Sequence, residues 1–320
     1  MLKTYFMKKV TILIPCYNEQ ESLYALYDAL QELMDKLKQY QWEILIVNDG
    51  SKDNSINIIK SLREKDKRIC FVNLSRNFGK ENAMLAGFDY ATGDCMVIMD
   101  ADLQHPPRVI SEMLKKWEEG FQDVYGKRLN RGKEPLWRKK FSLFFYALLQ
   151  KSAKYDILPN VGDFRLLDRK CIDVLKQLRE TERYTKGMFA WIGFKKTYVP
   201  FETQERVGGE SHMNITNLIA LAVEGITSFT VSPLKWSAFL GIVVSMVAFI
   251  YMLYVLCKAI FWGDPVQGYP TLVILILFFG GVQLMSLGII GEYLGKIFNE
   301  AKRRPVYVVS EYQINDESSK

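Results

Sequence analysis

The chain has few of the residues that build several common kinds of site. It holds only two histidines, His105 and His212, and five scattered cysteines, Cys16, Cys70, Cys95, Cys171 and Cys257, none in a CxxC pair. A histidine-based zinc site and a disulfide scaffold are therefore excluded, and the cysteines read as reduced packing residues. No Gly-x-Gly-x-x-Gly follows the first apolar run and no Gly-x-x-x-x-Gly-Lys-Ser/Thr occurs, which argues against a dinucleotide enzyme and a P-loop NTPase. Disorder is excluded by a hydrophobic content of 49%. What is missing most conspicuously is charge, from two long stretches.

Trp236 to Cys257 is 22 residues without a charge, and Pro265 to Gly291 is 27 more. Residues 236–291 carry only Lys258 and Asp264. At about 1.5 Å per residue, 22 helical residues reach roughly 33 Å, enough to cross the hydrocarbon core of a bilayer. The runs are joined by a short loop, so they read as a helical hairpin. Lys235 precedes it, and Lys296, Lys302, Arg303 and Arg304 follow it. That asymmetry places both termini in the cytoplasm, with Trp236, Trp262 and Tyr269 as interfacial aromatics. Val10–Ile14 is too short and too soon interrupted by Pro15 to be a signal peptide. The near-zero mean hydropathy of −0.04 is thus the average of a charged domain and an apolar hairpin. The expected organisation is a cytosolic catalytic domain over 1–210, an interfacial amphipathic helix over 211–234, and two transmembrane helices within 235–295 (about 235–260 and 268–292). A basic cytosolic tail, 296–320, follows. The expected location is the cell membrane, with two spans.

In the first part, buried-strand patterns at Val10–Pro15, Trp42–Val47, Ile69–Leu74 and Cys95–Met99 alternate with helical patterns at Glu21–Tyr40, Asp53–Lys65 and Glu81–Thr92. Continuous apolar strands separated by helices predict an α/β fold, a mostly parallel Rossmann-like sheet covered on both faces. Ligands of such sheets bind beyond the carboxyl ends of the strands. There lie Pro15-Cys-Tyr-Asn-Glu19, Asn48-Asp-Gly-Ser-Lys-Asp53, Ser75-Arg-Asn-Phe-Gly-Lys80 and Asp100-Ala-Asp-Leu-Gln-His-Pro-Pro107. One such cluster is ordinary turn and cap chemistry. Four on one edge point to a site. Asp100 and Asp102, two residues apart, repel each other unless a cation lies between them. Hard oxygen ligands favour Mg²⁺ or Mn²⁺ completed by substrate phosphate and water, and Gln104 adds another oxygen.

These stretches, together with LSRNFGKENA, GKRLNR, DFRLLDR and the tail GIIGEYLGKIFNEAKRRPVY, resemble family 2 glycosyltransferases of GT-A fold. Within them the pattern is most similar to bacterial polyprenyl-phosphate hexose transferases, relatives of dolichol-phosphate mannose synthase. The resemblance implies that Pro15, Tyr17, Glu19, Val47 and Asp49 hold the nucleotide, with Asp100 and Ala101 against the sugar–nucleotide. Asp102 and Gln104 would hold Mg²⁺ or Mn²⁺ on the diphosphate. Lys127, Arg128, Arg131, Arg206 and Ser211 would hold the phosphate of a polyprenyl acceptor, with Arg128 also counted as catalytic. Asp163, in Gly162-Asp-Phe-Arg165, falls where the family has a base or an orienting carboxylate. An acceptor phosphate is already an anion, so orientation, or a salt bridge to Arg165, is the alternative to a base. The chain departs from the family at Gly209-Glu-Ser-His212, where a lysine is usual in place of His212.

The implied activity is a membrane-bound, metal-dependent, inverting transfer of a hexose, glucose from UDP-glucose first, to undecaprenyl phosphate for cell-envelope glycosylation. The alternatives are another donor (GDP-mannose, UDP-GlcNAc, UDP-galactose or a modified UDP-pentose) or a non-catalytic membrane scaffold. A processive polysaccharide synthase is disfavoured, since there is no Gln-x-x-Arg-Trp motif. The expected partners are the nucleotide sugar, the polyprenyl phosphate and the lipid bilayer, with no nucleic acid. Gly280, Gly281, Gly288, Gly291 and Gly295 would let helices approach closely in a homo-oligomer, such as a tetramer.

Overall fold

The computed structural model describes residues 7–129, 161–202 apart from 182 and 184, a scattered set between 234 and 254, and 268–315. Arg131, Arg206, Ser211, His212, Cys257 and nearly all of the expected interfacial segment lie outside the described residues. The chain divides into two compact units, Met1–Leu218 with Pro305–Lys320, and Ile219–Arg304.

The first unit starts as three turns of strand and helix: β1 (Lys9–Cys16), α1 (Leu23–Lys36), β2 (Gln41–Asn48), α2 (Ser55–Lys65), β3 (Ile69–Leu74) and α3 (Lys80–Tyr90). It continues with β4 (Cys95–Ile98), α4 (Arg108–Glu118), β5 (Asp123–Arg128), β6 (Val161–Asp168), α5 (Arg169–Leu175), α6 (Thr185–Trp191) and β7 (Lys196–Phe201). The eight-stranded sheet runs β7-β5-β6-β4-β1-β2-β3-β8, where β8 is Val309–Gln313. Strands β4, β1, β2 and β3 are parallel, β6 is antiparallel to β4 and β5, and β8 is antiparallel to β3. The mostly parallel, doubly covered sheet expected from the sequence is present.

Alternation along β1 shows why both faces must be covered. Val10, Ile12, Ile14 and Cys16 enter one core with α1, α2 and α4. Leu13 enters the other, with α3, α5 and α6. Side chains of a strand point alternately to the two faces, so an all-apolar strand needs a helix on each. On α4 the stripe Val109, Ile110, Met113, Leu114 and Trp117 is buried, the spacing of one helical face. Gly87 of α3 lies so near β1 that an added Cβ would be 2.1 Å from Leu13 Cδ1.

The polar strands were harder to read. β6 carries Arg165, 4% exposed, whose guanidinium meets Asp123 of β5 at 3.0 Å and covers the Phe189 ring at 3.7 Å from its centroid. The expected alternative of an Asp163–Arg165 salt bridge is thus not formed, because the buried Asp123 carboxylate takes the guanidinium. β8 was not anticipated either; part of the presumed tail completes the sheet.

In the second unit, α7 (Tyr269–Ala301) is 33 residues long and contains most of the second charge-free run. Over the described residues no helix is long and apolar enough to cross a membrane. Along α7 Leu284, Met285, Leu287, Ile290, Leu294 and Ile297 are all exposed.

Candidate active site

The carboxyl ends of β1, β2, β3 and β4 share one edge, because these strands are parallel. The start of β6 lies at the same edge, because β6 runs the other way. Ile98 pairs with Arg165, so Asp163, two residues earlier, is carried level with Asp100. The end of β5, with Lys127 and Arg128, is brought to this edge as well.

The first two loops are cross-tied. Asn18, in the left-handed region at φ 54, accepts the Lys52 N–H, and its own N–H donates to Ser51 Oγ at 2.9 Å. The Glu19 N–H donates to Ser55 Oγ, and the Gln20 N–H to Asp53 Oδ2. Tyr17 is left 41% exposed beside them, with a ring free to stack on a base. Glu19 is half-buried and accepts from Ser22 Oγ at 2.9 Å. Pro15 pairs with the fully buried Val47 across the β1–β2 ladder. Val47 therefore lines the sheet beneath the loops.

Asp49 is 3% exposed and accepts the Phe78 N–H at 2.7 Å and the Gly79 N–H at 2.9 Å, one on each oxygen. Burial pushes its carboxyl above the usual range, against the pull of those two N–H groups and of Arg76. These two contacts brace the β3–α3 loop, with Gly50 (φ 63) set against the Arg76 backbone.

After β4 the chain turns through Asp100, Ala101, Asp102, Leu103 and Gln104. Leu103 sits at φ 60, an uncommon conformation for a residue with a branched side chain. The Gln104 N–H donates to Asp102 Oδ1 at 3.1 Å. Ala101 is buried, while Asp100 retains 30% side-chain exposure. His105, only 2% exposed, stacks on Phe164 at 4.6 Å and accepts the Asp100 N–H on Nδ1 at 3.2 Å. Burial holds its pKa below the ordinary value, so the neutral ring pins the turn from beneath.

The residue that sequence reasoning missed is Lys80. Its Nζ lies 2.5 Å from Asp100 Oδ1 and 3.0 Å from Asp163 Oδ2. The two carboxylates are thus at most about 5.5 Å apart and would repel by about 3 kcal/mol at an effective dielectric of ~20. Burial works to raise the pKa of Asp163, but the Lys80 ammonium, then Lys186 and Arg165, outweigh it and hold the carboxyl below the usual range. Burial likewise opposes the Lys80 charge, and Asp163 and Asp100 overcome it, raising its pKa. A signal was present in the sequence: a lysine opening a helix is placed against the helix dipole, which marks it as held by anions elsewhere. The next residue, Glu81, accepts the Thr185 N–H at 3.0 Å and ties α3 to α6. Burial and the nearby Asp163 push its carboxyl up to about 7.

Lys127 is exposed with its ammonium 4.6 Å from the Tyr198 ring centroid, and Arg128 is half-buried at the end of β5. Arg128 counts among the cations that disfavour protonation of His105, which puts its charge near the DxD turn. The site thus brings together Asp100, Asp102, Gln104, Asp163, Lys80 and Arg128. Among the described residues no group of three His, Cys, Asp or Glu could hold a metal by itself. Asp102 and Gln104 supply hard oxygens, a donor set that suits a cation completed by phosphate oxygens and water.

The family model for glycosyl transferase family 2 matches residues 11–175, which spans the six strand ends just described. The chain belongs to glycosyl transferase family 2. It is 44% identical to a glycosyltransferase of Synechocystis sp. over 95% of each chain. It is 39% identical to the prophage bactoprenol glucosyl transferase homolog of Escherichia coli K12, and 39% identical to the bactoprenol glucosyl transferase of Shigella phage SfV. Both matches cover 94% of this chain and 98% of the relative. Among solved structures, glucosyl-3-phosphoglycerate synthase of Mycobacterium tuberculosis, crystallised with Mn²⁺, UDP and phosphoglyceric acid, aligns with 69% of this chain and 76% of its own. The identity is 17% and the TM-score 0.46. As a family 2 member the protein is a glycosyltransferase, and the edge that carries the six strand ends is its candidate catalytic edge.

Proposed function

We propose that this family 2 enzyme transfers glucose from UDP-glucose to undecaprenyl phosphate at the cytoplasmic face of the cell membrane, with inversion. The observation that carries the reading is end-to-end similarity, 39% over 94% of the chain, to proteins named bactoprenol glucosyl transferases, in a chain whose site pairs a DxD turn with Arg128. Tyr17 and Glu19 bind the nucleotide, over a floor formed by Pro15, Val47 and the Asp49-braced loop. Asp100 and Ala101 face the sugar. Lys127 and Arg128, with Arg131, Arg206 and Ser211, hold the acceptor phosphate, for which an arginine fork is the better clamp.

The reaction is a single displacement. An acceptor phosphate oxygen forms a bond to the anomeric carbon while the bond from that carbon to the UDP oxygen breaks, and UDP leaves with the electron pair. An α-linked donor thus gives a β-linked lipid product. The attacking oxygen is already anionic, so no proton has to be removed, and Asp163 orients rather than acts as a base. Asp102 and Gln104 would hold Mg²⁺ or Mn²⁺, which would supply neutralisation of the charge developing on the leaving diphosphate.

Membrane attachment is part of the proposal. The two charge-free runs lie between Leu218 and Pro305, where the chain leaves the first unit and returns to it. A chain that leaves and returns on one side of a membrane crosses it an even number of times, which supports two spans. The returning chain re-enters the sheet at its carboxyl edge, since the Ser75 N–H donates to Val308 O just before β8. The polyprenyl tail is proposed to remain in lipid while its phosphate enters the site. The exposed apolar surface of α7 and its open glycines support a homo-oligomer, for which a tetramer is proposed.

The test is a donor panel. Purified full-length protein in detergent is given undecaprenyl phosphate with UDP-glucose, UDP-galactose, UDP-GlcNAc or GDP-mannose, and the glycolipid is weighed by mass spectrometry. A hexose adduct from UDP-glucose alone supports the reading. Preference for another donor replaces the sugar, and no adduct from any donor favours the scaffold alternative.

A further inference from the structure

A single ammonium ties the start of α3 to the turn after β4 and to the start of β6. Lys80 Nζ lies 2.5 Å from Asp100 Oδ1 and 3.0 Å from Asp163 Oδ2. The Asp163 side chain is only 13% exposed, and its other oxygen, Oδ1, is buried without a hydrogen-bond partner. Burial favours the neutral acid at Asp163, and Lys80 is the main cation that opposes it, followed by Lys186. The helix start fixes the lysine: α3 begins at Lys80, and Asp49 holds the N–H groups of Phe78 and Gly79 just before it. Arg128 bears on the same neighbourhood, since the charges of Asp100, Arg128 and Lys80 all act on the buried His105 ring. One ammonium between two carboxylates leaves the triad one net negative charge. Without the ammonium it has two. A phosphate monoester brings about −1.5 to −2 more at pH 7, and like charges repel strongly where water is partly excluded.

We propose that Lys80 is a positioning residue for the acceptor: it neutralises the Asp100–Asp163 edge so that a phosphate-terminated lipid can approach, and so helps select a phosphate over a neutral hydroxyl. This rests on the proposed reading of the acceptor as a polyprenyl phosphate. The two cations then have different tasks. Arg128 attracts the phosphate, whereas Lys80 acts through Asp100 and Asp163 by removing their repulsion. An alcohol carries no charge and is indifferent to the triad, so its affinity does not depend on Lys80. The role of Lys80 is one of charge rather than of shape, and a change elsewhere in the triad that restores the charge restores the phosphate.

The experiment is calorimetric titration of the full-length protein in detergent with farnesyl phosphate and with farnesol, which share one tail. It is run at about pH 8, where the phosphate is a dianion. Wild type is expected to bind the phosphate at least about tenfold more tightly than the alcohol. Lys80→Met loses at least about tenfold in affinity for the phosphate and no more than about twofold for the alcohol. Lys80→Arg, which keeps the charge, stays within about threefold of wild type. Lys80→Met/Asp163→Asn, which returns the triad to one net negative charge, recovers most of the loss. A merely structural role predicts further damage from that second substitution. Should Lys80→Met lose its fold by circular dichroism, Lys80→Gln is measured in its place with the same expectation. Unchanged phosphate affinity in a folded, uncharged variant overturns the proposal. So does an equal loss for both probes, a loss in Lys80→Arg as large as in Lys80→Met, or a double variant no better than the single one. In each of these cases a wild type that prefers the phosphate leaves the acceptor reading standing. A wild type that binds the phosphate no more tightly than the alcohol sinks the acceptor reading and this proposal together. The expected pattern in a protein that transfers no glucose supports the role of Lys80 and sinks only the proposed sugar.

Discussion

Asp49 accepts the Gly79 N–H at 2.9 Å, and by that bond the end of β2 sets where α3 begins. Its other oxygen takes the Phe78 N–H, so neither is spare. Asp49→Asn offers one acceptor oxygen and presents an NH₂ to the second backbone donor. The expected loss is about 1–3 kcal/mol of stability, the cost of a buried unpaired group, read as a lower melting temperature. Turnover should fall as well, because Lys80 follows the displaced loop.

Two glycines separate backbone conformation from crowding. Gly50 and Gly120 both have positive φ, but a Cβ on Gly50 would lie 2.3 Å from the Arg76 carbonyl carbon, whereas one on Gly120 meets nothing within 4 Å. Gly120→Ala should cost about 1 kcal/mol for the left-handed conformation alone. Gly50→Ala should cost more than that and weaken UDP binding, because the β2–α2 and β3–α3 loops must part. Denaturant melts and UDP titrations of the two variants check this.

Glu81 makes stability depend on pH. Its folded pKa, about 7, lies above its unfolded value of about 4.5. Folding therefore favours the protonated form. The contribution is fully present below pH 4.5 and is lost as pH rises through 7, and it amounts to at most about 3 kcal/mol. Glu81→Gln keeps an oxygen for the Thr185 N–H and carries no charge. It should melt at the wild-type temperature near pH 4.5 and above it at pH 8. Equal melting temperatures at both pH values would remove Glu81 as the source.

The first half of the sheet and its loop clusters were legible because β1 to β4 are short, continuous apolar runs with turn residues at their ends. The later strands break that pattern for physical reasons. β6 tolerates Arg165 because Asp123 and the Phe189 ring receive its guanidinium, and β7 carries Pro200 because it lies at the edge of the sheet, where a missing N–H is tolerated. β8 follows the long helix α7, and no local signal shows that it returns to β3. The family resemblance marked Asp163 as a candidate, but not the ammonium that it meets. Arg165, two residues away, was the near candidate, and the start of α3, distant in sequence, supplies Lys80 instead.

The return of β8 has a consequence for dissecting the protein. Residues 1–218 alone leave the β3 edge unpaired and are expected to aggregate, as bare edges do. The same residues joined by a flexible linker to 305–320 regain β8 and omit the apolar unit. That protein should elute as a soluble monomer in size-exclusion chromatography without detergent. Aggregation of both would show that the helical unit is needed for the fold itself.

The central claim is that a divalent cation at Asp102 and Gln104 supports transfer of glucose to a lipid phosphate. The most direct measurement follows radiolabel from UDP-glucose into undecaprenyl phosphate with the full-length protein, with and without chelator, beside Asp102→Ala. The account predicts label in the lipid fraction, abolished by chelation and restored by Mg²⁺ or Mn²⁺. It also predicts a loss of at least about a thousandfold in a folded Asp102→Ala protein. Label that persists in chelator, or in Asp102→Ala at the wild-type rate, would contradict it.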